Sequence, residues 1–147
     1  MNPTDSRCFL LDLFYKYANP SGFKIYVWFQ IREILFSDEH IFYSSKYIIV
    51  EIFKHKYRIL KGIKTADESE VYEYLNEILQ RIRFINEDFI SITNYAKAYQ
   101  LCKDVDEFDV PFVALALELD AELWTNDKKL KTELLRKGFD NFFRNTR

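Results

Sequence analysis

Between Phe112 and Leu119 the chain reads Phe, Val, Ala, Leu, Ala, Leu, Glu, Leu, apolar almost all the way round a helical wheel. A helix without a polar face must be buried on more than one side, so this segment predicts a domain that encloses it. Pro111 fits only near the first turn, where its missing N–H costs nothing. Directly downstream, Ala121 to Thr125 has strand composition and stops at the polar pair Asn126-Asp127. Ile41-Phe42-Tyr43 is a similar short strand upstream.

Helical patterns separate these strands. Ser45 can cap a helix running to Leu60, with Ile48, Ile52 and Ile59 near helical spacing. Thr65-Ala66-Asp67-Glu68 is a capping-box pattern, followed by Val71, Leu75, Ile78, Leu79 and Ile82 at a 3.6-residue period. Arg83 to Ile85 suits a short strand, and Ile92, Tyr95, Ala96, Tyr99 and Cys102 form the apolar stripe of another helix. Strands alternating with helices predict an α/β domain with a mainly parallel sheet covered on both faces. In such sheets ligands gather at the carboxyl ends of the strands. The first strand is either Phe9 to Leu13 or Lys24 to Phe29, and periodicity does not choose between them.

A length of 147 residues suits one domain, 1–147, with its own core. No internal repeat appears, and the loop clusters are Asn19 to Gly22 and Lys61 to Asp67. No apolar run approaches the roughly 20 residues that span a bilayer. Asp5 and Asp12 interrupt the start where a secretory leader would be basic and then apolar. Both features predict a cytoplasmic protein without membrane attachment. Cys8 and Cys102 show no CxxC spacing and read as reduced packing residues.

Net charge is -2, so the chain as a whole is not basic, but its charges are segregated. From Asp104 to Asp127 there are eight acids and no Lys or Arg; from Lys128 to Arg147 there are seven basic residues against Glu133 and Asp140. That arrangement would suit a cation site beside a phosphate-attracting surface, but charge alone favours the plainer reading of two solvated faces. Three glycines make no GxGxxG or Walker loop, and His40 and His55 lack zinc-site spacing. No GxSxG marks a serine nucleophile.

Carboxylates remain as the chemistry. Several Asp and Glu side chains from different elements can hold Mg²⁺ or Mn²⁺, which generates hydroxide from water and stabilises phosphoryl displacement. Asp127 follows a buried strand, Asp106 and Asp109 precede the buried helix, and Glu51 lies within the Ser45 helix. Taken singly, each has a plainer reading: Asp106 and Asp109 as helix caps, Glu51 as a solvated helix residue, Asp127 as a turn residue.

Their joint pattern carries a resemblance. Asp106-Glu107-Phe108-Asp109-Val110-Pro111-Phe112-Val113-Ala114-Leu115-Ala116-Leu117-Glu118-Leu119, with Leu123-Trp124-Thr125-Asn126-Asp127-Lys128-Lys129-Leu130 beyond it, resembles the C-terminal signature of PIN domains. Ile41 to Ser45 running into Ile48-Ile49-Val50-Glu51-Ile52 resembles the strand and helix that deliver that family's glutamate. The resemblance extends from about Ile31 to the end. It implies a three-layer α/β/α sandwich around a mainly parallel sheet, and a metal-dependent endoribonuclease using Mg²⁺ or Mn²⁺. By position it makes Glu51, Asp109 and Asp127 metal ligands, Asp106 a further acid on the same rim, and Thr125 a support for the Asp127 loop. RNA is the implied substrate. A cognate antitoxin, as in VapBC-type modules, and a second copy of the chain are the implied protein partners.

Residues 1–30 depart from the family pattern. PIN domains normally begin with a strand ending in Asp, a small residue and Asn; here Asp12 is the nearest stand-in for the first ligand, and Phe14 holds the Asn position. A chain without that ligand would instead be a catalytically degenerate PIN fold, a binding or interaction module. The abundance of Tyr and Phe would serve such a role.

Overall fold

The computed structural model describes residues 6–9, 33–38, 40–47, 49–50, 67–125 and 127–144. Among these, β1 (Ser6–Phe9), β2 (Ile41–Ser45), β3 (Ile82–Ile85) and β4 (Glu122–Trp124) form one sheet in the order β3-β2-β1-β4. Every pair is parallel: Cys8 lies beside Tyr43 on one side and Leu123 on the other, and Phe42 beside Ile82. Parallel neighbours cannot be joined by hairpins, so every link between them is a crossover. The result is the expected α/β class with a parallel sheet.

The sequence left two places for the first strand. β1 starts earlier than the N-terminal alternative and shares only Phe9 with it; Lys24 to Phe29 lies outside the described residues. The predicted Ser45 helix is seen at Tyr47, Ile49 and Val50. Ser45 Oγ accepts the Tyr47 N–H at 3.2 Å, a cap as its residue type predicts. The remainder of that helix, Glu51 included, lies outside the described residues.

Helix α1 spans Glu68–Gln80, and its cap is Asp67, whose carboxylate accepts the Glu70 N–H at 2.9 Å. Thr65, the cap expected from the box pattern, is therefore replaced by a residue two positions later. The apolar period on α1 buries Leu75 and Ile78, but Ile82 belongs to β3. An apolar residue at helical spacing just beyond a helix end is satisfied equally well by a strand.

Helix α2 (Ile92–Cys102) begins at Ser91, whose Oγ accepts the Asn94 N–H at 3.2 Å. Its burial corrects the predicted stripe. The buried residues are Ala98 and Cys102, whereas Ile92 is 88% exposed and Ala96 and Tyr99 are exposed as well. The cause is α3 (Val110–Leu119), which packs along the Ala98 side. Near the far end of α3, Glu118 accepts from Ser91 Oγ at 3.1 Å and from the Asn94 amide, so the two helices run antiparallel.

Helix α3 is enclosed as its composition demands. Five consecutive residues, Phe112 to Ala116, are buried, and Pro111 stands in the first turn. It ends at Asp120 in the left-handed conformation (φ 49°), with the Ala121 N–H reaching back to the Ala116 carbonyl. That closure reverses the chain directly into β4. After α4 (Lys128–Arg136), Asn141 to Phe143 return beside β4: the Leu123 N–H donates to the Asn141 carbonyl and the Phe143 N–H to the Leu123 carbonyl, both at 2.9 Å. The outer edge of β4 is thereby covered. No helix among the described residues is long and apolar enough to cross a membrane.

Candidate active site at the carboxyl edge of the sheet

The reversal at Asp120 decides where the acids fall. Because α3 packs on β1 and β2 and runs back against β4, its first residues stand at the edge where β4 ends. Asp109 immediately precedes α3, and Thr125 and Asp127 immediately follow β4. In parallel sheets this is the edge where backbone groups and loops are left open for a ligand.

Asp109 is buried, with 6% of its surface exposed. It occupies the N-cap position of α3, but its helical backbone (φ -82°, ψ -9°) gives no capping bond from its side chain. The capping reading therefore fails for Asp109. It holds for Asp106, which caps the 3₁₀ turn Glu107–Asp109 by accepting the Phe108 N–H at 2.9 Å and is itself exposed.

Asp127 caps α4, its Oδ1 accepting the Leu130 N–H at 3.1 Å. Its own N–H donates to Thr125 Oγ1 at 3.1 Å, and Thr125 is 1% exposed. A buried hydroxyl thus ties the start of the loop to its end. Lys128 and Lys129, both exposed, open α4 directly beyond Asp127.

Burial pushes the Cys102 thiol up to about 12, and the nearby Asp109 charge adds to the effect. Cys102 is therefore an inert packing group close to Asp109, not a nucleophile. The same burial holds for Cys102 as a free cysteine.

The edge also carries groups that sequence reasoning passed over. Ser45, 1% exposed at the end of β2, donates to Glu87 Oε1 at 2.7 Å. Glu87 follows β3 by two residues, much as Asp127 follows β4 by three. Tyr95 also hydrogen-bonds Glu87; burial first, and then the Glu87 charge and bond, raise its pKa. Ser44, fully buried, precedes Ser45.

Of the predicted site residues, Asp106, Asp109, Thr125 and Asp127 belong to this edge. Glu51 and Asp12 lie outside the described residues. Their neighbours can still be located: Val50 lies in the helix that leaves the end of β2, and β1, whose last residue is Phe9, lies between β2 and β4. Among the described residues no three His, Cys, Asp or Glu side chains come together to hold a metal ion. The donors at the edge are nonetheless all oxygens, the chemistry that a hard divalent cation accepts. A separate groove of about 980 Å³ between α2, α3 and the turn after α4 is lined by Ile92, Ala96, Leu101, Leu117 and Phe139. Thr93, Lys97, Gln100, Lys103, Asp104 and Lys137 also line it, and none of the predicted site residues does.

No curated protein matches the chain. Residues 24–137, more than three quarters of its length, match the profile of a PIN domain family. PIN domains are generally nucleases that act on RNA and usually employ divalent metals, in keeping with an oxygen-rich edge on a parallel sheet. This chain belongs to the PIN-domain family.

Proposed function

We propose that the chain is a metal-dependent endoribonuclease. The observation that supports this best is a buried carboxylate that does not cap its helix, Asp109, at the head of the helix that runs back into β4 and the tethered Asp127 loop. Burying a carboxylate is costly, and retaining one where no cap needs it suits a group held for chemistry. In this reading Asp109, Asp127 and Glu51 hold Mg²⁺ or Mn²⁺, with Asp106 and Asp12 as further acids on the rim. The bound metal would lower the pKa of a water and stabilise charge on the phosphate. Thr125 fixes the start of the Asp127 loop, Asp106 fixes the turn ahead of Asp109, and Lys128 and Lys129 attract the RNA backbone.

The test is cleavage of single-stranded RNA by the purified chain with Mg²⁺ or Mn²⁺, and its loss in EDTA. Asp127→Asn removes the charge while keeping an amide oxygen able to cap α4, so it should abolish cleavage with the fold intact. Cleavage retained by that variant sinks the assignment. A toxin role is a finer form of the same reading. It predicts growth arrest on expression, relieved by a cognate antitoxin encoded in a neighbouring small reading frame.

One observation favours a second reading, a degenerate PIN fold that binds without cutting. The opening triplet of Asp, a small residue and Asn is absent, with Phe14 at the Asn position. Titration with Mn²⁺ separates the two, because a degenerate site gives no saturable binding from micromolar to millimolar metal.

A further inference from the structure

Phe108 is 67% exposed and stands between two of the proposed site acids, Asp106 and Asp109. A single apolar side chain on a surface needs no explanation by itself. What sets this one apart is how its backbone is held. Its N–H donates to Asp106 Oδ1 at 2.9 Å, and the Asp109 N–H donates to the Asp106 carbonyl at 3.2 Å. The Val110 N–H closes on the Glu107 carbonyl, so the turn passes without a break into α3. The ring is therefore carried on a fixed turn, with only its side-chain torsions left to order on binding.

Phe108 and Asp109 are consecutive, so their Cα atoms lie about 3.8 Å apart. Asp109 is buried while Phe108 is open to water. A polymer held with one phosphate at the Asp109 edge thus carries its adjoining bases past the ring. Asp106 and Glu107, both exposed, flank Phe108. Their charge repels a phosphate but not the uncharged face of a base. The groups that attract phosphate, Lys128 and Lys129, are on α4 beyond Asp127. An aromatic platform and a basic surface, on separate elements, are the two parts that binding of single-stranded nucleic acid combines.

We propose that Phe108 is a specificity-determining residue, its ring stacking a base of single-stranded RNA next to the phosphate at the Asp109 edge. This deepens the nuclease reading and rests on it for the identity of the ligand. A base in a duplex is already stacked and paired, so it is closed to the ring, and a preference for unpaired RNA follows. Every base has a π-face, so the contact selects strandedness rather than sequence.

The test is the anisotropy of a labelled single-stranded RNA of about 12 nucleotides at low salt in EDTA, where binding is read without cleavage. Phe108→Ala should weaken binding at least about fivefold. Its circular dichroism should not change, because the residue is exposed. Phe108→Trp should bind as the parent does, whereas Phe108→Leu, apolar but without a ring, should bind as poorly as Phe108→Ala. An abasic oligomer of the same length should bind the parent and Phe108→Ala alike. In Mg²⁺, Phe108→Ala should raise KM for single-stranded RNA more than it lowers kcat. Parental affinity in Phe108→Ala, rescue by Phe108→Leu, an equal loss with the abasic oligomer, or a parent chain that binds no single-stranded RNA would overturn the proposal. Rescue by Phe108→Leu would point instead to an apolar contact with a protein. RNA bound through Phe108 but never cut would sink the nuclease reading and leave the stacking contact standing. RNA cut as well by Phe108→Ala as by the parent would sink the stacking contact alone.

Discussion

Helices α2 and α3 are adjacent, antiparallel and of nearly equal length, yet they relate to the core in opposite ways. Five consecutive residues of α3 are buried, whereas α2 buries only Ala98 and Cys102 and turns Ile92 and Tyr99 outward. For α3, a chain of apolar residues all round the wheel left no face that water could take. For α2, apolar residues on one side showed that a face could be buried, not that this protein buries it against itself. The contrast separates a helix whose composition dictates its surroundings from one whose surroundings decide the use of its composition.

The largest test of that contrast is truncation inside α3. Leu115 is 1% exposed, and Leu115→Ala should lower stability by about 2–5 kcal/mol, read from the urea midpoint. A cost under about 1 kcal/mol would mean that α3 is not the enclosed element.

Where the helices meet, Cys102 gives a pH-dependent test. Its thiol is raised from near 9 to about 12 by burial and the Asp109 charge. The unfolded chain therefore loses this proton first, and stability present below about pH 9 is lost as pH rises toward 12. Tyr95, also raised, acts in the same direction. The urea midpoint should fall with rising pH above 9, less steeply in Cys102→Ala, and native Cys102 should resist thiol reagents that modify it in denaturant. An unchanged slope in the variant would show the thiol to be solvated.

A smaller effect is expected at the α2 cap. Ser91→Ala removes the acceptor for the Asn94 N–H and the donor to Glu118. It should cost about 1 kcal/mol. The smallest is Ile92→Ala, which should change the stability of the monomer by no more than about 0.5 kcal/mol. A loss comparable to that of Leu115→Ala would restore the face of α2 that the sequence suggested.

The candidate site divides in the same manner. Asp127 was legible because a polar pair ends a strand-like run abruptly, and Asp109 because it opens an apolar helix. Which of them serves as a cap was not legible. Asp106 and Asp127 cap their helices, while Asp109, with helical backbone angles, does not. Glu87 was missed although it follows β3 much as Asp127 follows β4. Its bond to Ser45 spans 42 positions and depends on β2 and β3 being neighbours.

The sequence alone determined an enclosed helix at Phe112 to Ala116, the helix and strand segments flanking it, and an acid-rich stretch around it. These follow from local composition and backbone preference, which act over a few residues. The tertiary structure decided the strand order β3-β2-β1-β4, the outward turn of Ile92 and Tyr99, and the meeting of Ser45 with Glu87. Each depends on which distant segment packs alongside. Helical and strand periodicity set the direction in which a side chain points relative to its own backbone, but what it meets there is set by non-local pairing and packing.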